Sequence, residues 1–136
     1  MLKQIVTLIV LLSAFTLLTA MGGKGAGFEH APRVEKNFAV HIVDSSGNKI
    51  DGEKFSWEGR LHIDGFLGLA QVVIPFEKMK EVSVGEKRDK KMKVTFRLKD
   101  GSDTTIEVDA DSRCYGEAGF GSFMLPVGEI KTVSFK

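Results

Sequence analysis

The chain has 136 residues, with 19 basic and 18 acidic side chains, three histidines and one cysteine. Residues 1–20 contain Lys3 and no acid, so the remainder is formally neutral, and no single-sign field exists to draw in nucleic acid or an anionic membrane. One cysteine excludes an internal disulfide, and the length suits one compact domain or two very small ones sharing a core.

The first segment has the pattern of an export signal. Lys3 is a short positive region, and Ile5 to Leu18 is an apolar run broken only by Thr7, Ser13 and Thr16. Small residues follow, as at a signal-peptide cleavage site. Cleavage after Ala20 leaves Leu18, an imperfect residue, at the −3 position; cleavage after Gly22 puts Ala20 there. The other reading is an uncleaved anchor, with Gly22 to Gly27 as a flexible tether. The run is short for a membrane span, which takes about 20 apolar residues. The expected location is therefore periplasmic or secreted, with membrane contact only through an uncleaved 1–22 segment. No cysteine follows the apolar run to carry a lipid.

Residues 23–37 read as a loose polar lead-in. Beyond them the apolar pattern has period two, with turn signals about every 8–12 residues, which predicts an all-β protein, a sandwich or barrel. Phe38, Val40 and Ile42 alternate with Ala39, His41 and Val43 as a strand covered on both faces. Asp44 to Asn48 is a turn. Lys49 to Gly52 is a short strand, and Phe55 and Trp57 then share one face. Leu61 and Ile63 alternate with Arg60, His62 and Asp64, a half-buried strand with a polar outer face. Leu69 to Ile74 is a more apolar strand ending at Pro75. Gly85 to Lys91 is charged throughout its middle and reads as a surface link between two halves, with 86–91 as its core.

The second half repeats the first. Met92, Val94, Phe96 and Leu98 alternate with Lys91, Lys93, Thr95, Arg97 and Lys99. Lys99-Asp100-Gly101-Ser102 is a hairpin turn of the Asp-Gly type. Thr104, Ile106 and Val108 form the return strand, and Asp109 to Ser112 the next turn. Gly116, Gly119 and Gly121 suit bulges or sharp bends. Gly68 to Val84 aligns without a gap on Gly119 to Phe135, a repeat of seventeen residues in which glycine, proline, lysine, valine and serine coincide. Self-similarity of this kind marks a duplicated unit. The expectation is two β repeats, 38–85 and 92–136, forming tandem small barrels or one continuous sandwich.

Within each repeat, proline stops a strand because it cannot donate to a ladder. A short turn follows, and then a closing strand with Val82 and Val84, or Val133 and Phe135, on one face. A strand, one helical turn and a closing strand resemble the end of SH3-like and Sm-like small barrels. The pattern is also similar to small exported bacterial β domains that end in glycine, strand, Ile/Leu-Pro, turn and Ile-Lys. The resemblance implies architecture and supplies no site residues.

No motif assigns a chemistry. His62 and Asp64 share a strand face and are the one pair placed to bind a metal, but Arg60 beside them disfavours a cation, and zinc takes three or four protein ligands. His41 has apolar neighbours, and His30 lies in the lead-in. Asp109 and Asp111 begin like a calcium loop, yet Arg113 replaces an oxygen ligand. No serine lies in a nucleophile elbow, and 116–121 lacks the lysine and serine of a phosphate loop. Lys87 to Lys99 is rich in basic residues, but only Phe96 is available for stacking and it faces inward. Cys114 reads as a small buried apolar residue. Trp57 reads first as a core residue and is also the best single candidate for a partly exposed contact, with Arg60, His62 and Asp64 beside it. The leading expectation is a non-catalytic module with no cofactor that binds an unknown protein partner in the envelope. The alternatives are a small-ligand carrier with a pocket lined by Trp57, Phe120 and Phe123, and an enzyme of unrecognised type.

Overall fold

The computed structural model describes residues 28–136; the apolar run Ile5 to Leu18 and both cleavage positions lie outside them. The described residues form ten strands and two 3₁₀ turns, with no α-helix. In the first half these are β1 (Val40–Asp44), β2 (Lys49–Trp57), β3 (His62–Leu67), β4 (Ala70–Pro75), a 3₁₀ turn (Phe76–Lys78) and β5 (Met79–Arg88). In the second half they are β6 (Lys91–Leu98), β7 (Asp103–Asp109), β8 (Arg113–Ala118), β9 (Gly121–Pro126), a 3₁₀ turn (Val127–Glu129) and β10 (Ile130–Phe135). The repeat is thus visible element by element. Each proline ends a strand and caps a 3₁₀ turn from an extended conformation.

All ten strands join one antiparallel sheet in the order β4-β3-β7-β6-β5-β10-β1-β2-β8-β9. Exchanging each strand for its repeat partner reverses that order onto itself. The sheet therefore has an internal pseudo-twofold axis. It passes through the β5–β10 pairing, where Val82 faces Val133, its own repeat equivalent. The sheet does not divide where the sequence repeats. The β3–β4 hairpin of the first half lies on β7 of the second, and the β8–β9 hairpin of the second half lies on β2 of the first.

Two elements differ from the sequence reading. Lys49–Trp57 is a single strand; a register shift between Glu53 and Ser56 lets its first part pair with β1 and its last part with β8. Lys54 sits in that shift with φ 52°, the sign of a bulge. The charged link between halves is at the surface, but it is the tip of a hairpin. Gly85 to Arg88 belong to β5 and Lys91 to β6, so Asp89 and Lys90 alone make the turn. The basic residues of β6 face solvent and pair across to β7, Lys91 with Asp109 at 2.6 Å and Arg97 with Asp103 at 3.2 Å.

Residues 28–37 carry no regular secondary structure, yet they are pinned rather than loose. Asn37 Oδ1 accepts the backbone N–H of Lys54 at 2.7 Å, Ala31 is buried, and the Phe28 ring lies 5.8 Å from that of Tyr115. The end of β2 is buried on both faces: Phe55, Ser56 and Trp57 are all covered.

One apolar cluster runs through the sheet, from Val40, Ile42 and Phe55 to Ile63, Val94, Phe96 and Val133. Gly65 and Gly116, equivalent in the repeat, let each exchanged hairpin approach the other half's strand. A Cβ on Gly65 would lie 2.5 Å from the Glu107 carbonyl oxygen, and one on Gly116 would lie 2.5 Å from the Phe123 ring and 3.1 Å from the Glu53 carbonyl oxygen. Gly65→Ala should therefore cost about 1–3 kcal/mol, the usual range for overpacking. A thermal melt reads this as a drop of several degrees, and an unchanged midpoint would contradict the close approach.

Candidate functional site

The chain passes from β2 to β3 through Trp57-Glu58-Gly59-Arg60. Both central residues have positive φ, 55° at Glu58 and 74° at Gly59. Trp57 and Arg60 exchange backbone hydrogen bonds of 2.8 and 2.9 Å. This is the tight turn that suits a twisted hairpin. Glycine takes the conformation freely, whereas at glutamate it costs of order 1 kcal/mol and needs support. Glu58 has that support. Its N–H donates to the Arg113 carbonyl at 2.8 Å, and its Oε1 accepts the Arg113 N–H at 2.7 Å. Arg113 follows the β7–β8 connection, so Glu58 ties together the two connections at which the halves exchange hairpins. The same place is marked by an equivalent pair of bonds, Phe76 N–H to the Leu61 carbonyl at 3.0 Å and Val127 N–H to the Ser112 carbonyl at 2.9 Å.

An open crevice of about 250 Å³ lies at this crossing. From the first half come Trp57, Glu58, Arg60, His62 and Asp64; Asp109, Asp111 and Ser112 come from the second. All four contact residues expected from sequence therefore line one recess. Trp57 is only 4% exposed, so it forms the floor and does not protrude as a contact. Asp64 sits between two basic side chains. Arg60 Nη1 donates to Asp64 Oδ2 at 2.7 Å. His62 Nδ1 lies 2.8 Å from Asp64 Oδ1, but the two are not aligned for a hydrogen bond, and both atoms are buried without a partner. The Arg60–Asp64 pair is partly solvated, so it contributes at most about 1 kcal/mol to stability and serves mainly to fix the carboxylate. On the opposite wall Asp109 is engaged by Lys91.

The recess is polar and open, unlike the largely apolar clefts that enclose small ligands. Among the described residues, no group of three or more His, Cys, Asp or Glu side chains is arranged to hold a metal. The other two histidines lie elsewhere with partners of their own: His41 Nδ1 is 2.9 Å from Asp51 Oδ1, and His30 is beside the Ala31 carbonyl. The pocket expected from Trp57, Phe120 and Phe123 does not form. Phe120 is 74% exposed at the β8–β9 tip, and Phe123 is buried in the core. A second open concavity, about 460 Å³, is lined by Asp51, Glu53, Glu117 and Lys136 with small residues between them.

Sequence reasoning missed Glu58, Asp109, Asp111 and Ser112 as neighbours of Arg60. The repeat held the signal, since 58–61 and 109–112 both follow the second strand of their half. It also missed the exposure of the β3–β4 hairpin. Phe66, Leu67, Leu69 and Val73 there are 42, 50, 103 and 57% exposed. The signal was an uncharged run from Gly65 to Phe76, matched by one from Ala118 to Gly128.

Cys114 is fully buried opposite Trp57. Burial, reinforced by the charge of Glu58, pushes its thiol well above the ordinary range. A protonated, enclosed thiol is inert. The native protein should give no colour with a disulfide reagent at mildly alkaline pH and one equivalent after unfolding in guanidinium. Rapid reaction of the folded protein would contradict the burial.

A family described as "uncharacterised protein" matches residues 34–136, and the chain belongs to that family. No curated protein matches the chain, and no solved structure does.

Proposed function

We propose that this chain is a non-catalytic binding or assembly module of the bacterial envelope, with its contact face on the β3–β4 hairpin and the adjoining crevice. The observation that carries this reading is the clustering of exposed apolar side chains. Of the six large hydrophobics exposed among the described residues, four lie on that one hairpin. Single exposed apolar residues are ordinary, whereas a contiguous group marks an interaction site. Phe66 and Val73 share the outer face of the hairpin with His62 and Asp64, which with Arg60 continue it toward the crevice as a polar rim, while Leu67 lies on the opposite face. The apolar N-terminal run supports an exported location. The strand order supports a fold of two interlocked SH3-like units, β5-β6-β7-β3-β4 and β10-β1-β2-β8-β9.

The test is crosslinking in the native envelope, with the chain carrying its own N-terminal segment and a C-terminal tag, followed by mass spectrometry. One dominant protein product, lost on Leu69→Asp or Arg60→Glu, is the expected result. Saturable turnover on a hydrolase substrate panel, abolished by substitutions in the crevice, would overturn the reading.

A further inference from the structure

The two strands with free edges, β4 and β9, end the sheet. Their sequences are Ala70-Gln71-Val72-Val73-Ile74-Pro75 and Gly121-Ser122-Phe123-Met124-Leu125-Pro126. Neither holds a charge, while each of the eight interior strands holds at least one. This inverts the usual arrangement, because free edges are normally protected by charged side chains against pairing with another chain. Here the charges sit where pairing is already complete, and the edges have only their shortness and a terminal proline.

We infer that the β4 edge pairs with β4 of a second copy, giving a symmetric dimer with one sheet continuous through both chains. This deepens the binding-module reading and rests on it. Two observations favour a second copy through β4. An uncharged strand set antiparallel to itself opposes no like charges, and like charges directly opposite destabilise a pair. The two edges are also unequal. Ala70, Gln71 and Val73 are exposed along β4, whereas Ser122 and Met124 on β9 are half-buried. An interface of one surface with itself closes as a dimer, and joining β4 to β9 would propagate without limit.

The backbone has the register for it. Leu67 pairs with Ala70 around the two-residue loop Gly68-Leu69, so the alternation of an antiparallel ladder turns the free backbone groups of Gln71 and Val73 outward. Pairing there places Val73 near its own copy, with Phe66, Leu69 and their symmetry mates flanking the seam. Cross-strand neighbours have Cα separations of about 4.5–5.5 Å, inside the range a disulfide spans.

Sedimentation and oxidative crosslinking of the protein purified from the export compartment test this. At micromolar concentration the wild type should sediment at twice the chain mass. Val73→Cys should form an interchain disulfide under mild oxidation, whereas Met124→Cys, its repeat equivalent on β9, should not; Cys114 is enclosed and does not compete. Val73→Lys and Gln71→Lys should each give monomers with an unchanged circular dichroism spectrum, since both positions are exposed. A dimer that survives both lysine variants, or crosslinks through Met124→Cys instead, would overturn the assignment. A monomeric wild type that still crosslinks one other envelope protein overturns self-pairing and leaves the binding-module reading standing. A monomeric wild type with no crosslinked partner overturns both.

Discussion

Cutting the chain between Asp89 and Lys90 should leave one particle that elutes as the intact protein does. These two residues are the exposed turn of the β5–β6 hairpin, where a protease site is tolerated. The fragments, up to 89 and from 90, correspond to the two sequence repeats. Were each repeat a separate barrel, only the covalent link would hold them together. In the observed sheet, five of the nine strand pairings join one fragment to the other: β3–β7, β5–β6, β5–β10, β10–β1 and β2–β8. Neither fragment can complete a sheet alone, because each has given a hairpin to its partner. Association then becomes bimolecular, so the melting temperature of the nicked protein should fall and rise again with protein concentration. Denaturant should separate the fragments, and its removal should restore the complex. Fragments that part on a sizing column without denaturant would show that the hairpins are not exchanged.

The repeat itself was legible because Gly68–Val84 and Gly119–Phe135 have the same residues at the same spacing. Strand and turn positions were legible for a local reason: alternation from Lys91 to Lys99 fixes which side chains face the core, whatever lies next to the strand. The exchange was not legible. His62 to Leu67 has the same inward residues, Ile63 and Gly65, whether it pairs with β2 or with β7. What marks the pairing with β7 is Gly65 fitting against the Glu107 backbone, a contact between residues far apart in sequence. The candidate site divides in the same way. Period two placed Arg60, His62 and Asp64 on one face, but only the crossing of connections brings Asp109, Asp111 and Ser112 to them. Trp57 shares a face with Phe55, which marks it as core; its neighbour Ser56 is buried as well, and Phe28 lies against Tyr115, the residue paired with Ser56.

Phe76→Ala should be the most damaging single truncation in the chain. Phe76 enters the core from the 3₁₀ turn after β4, within the unit β5-β6-β7-β3-β4, and is 1% exposed. Its ring meets three rings from the other unit or its lead-in. The centroids of Phe38, Phe55 and Phe135 lie 5.4, 5.4 and 5.1 Å away, at interplanar angles of 83°, 33° and 48°. Phe38 and Phe55 are themselves edge-on to Phe135, so the four rings form one closed group across the exchange. Removing a buried phenyl ring costs about 3–5 kcal/mol through lost transfer energy and the cavity left behind. Each aromatic pair adds roughly 0.5–1.5 kcal/mol beyond area burial, which places this site toward the upper end. Against a net stability of about 5–15 kcal/mol, the variant should unfold roughly 1–5 M earlier in urea. Two controls separate the ring cluster from general fragility. Val127→Ala, at the repeat-equivalent position of the second 3₁₀ turn, is just as buried but removes a smaller side chain outside the ring group, so its shift should be smaller. Phe120→Ala, on the exposed β8–β9 tip, should stay within about 0.5 kcal/mol of wild type. Equal losses for Phe76→Ala and Val127→Ala would mean that the four rings do not act as a group.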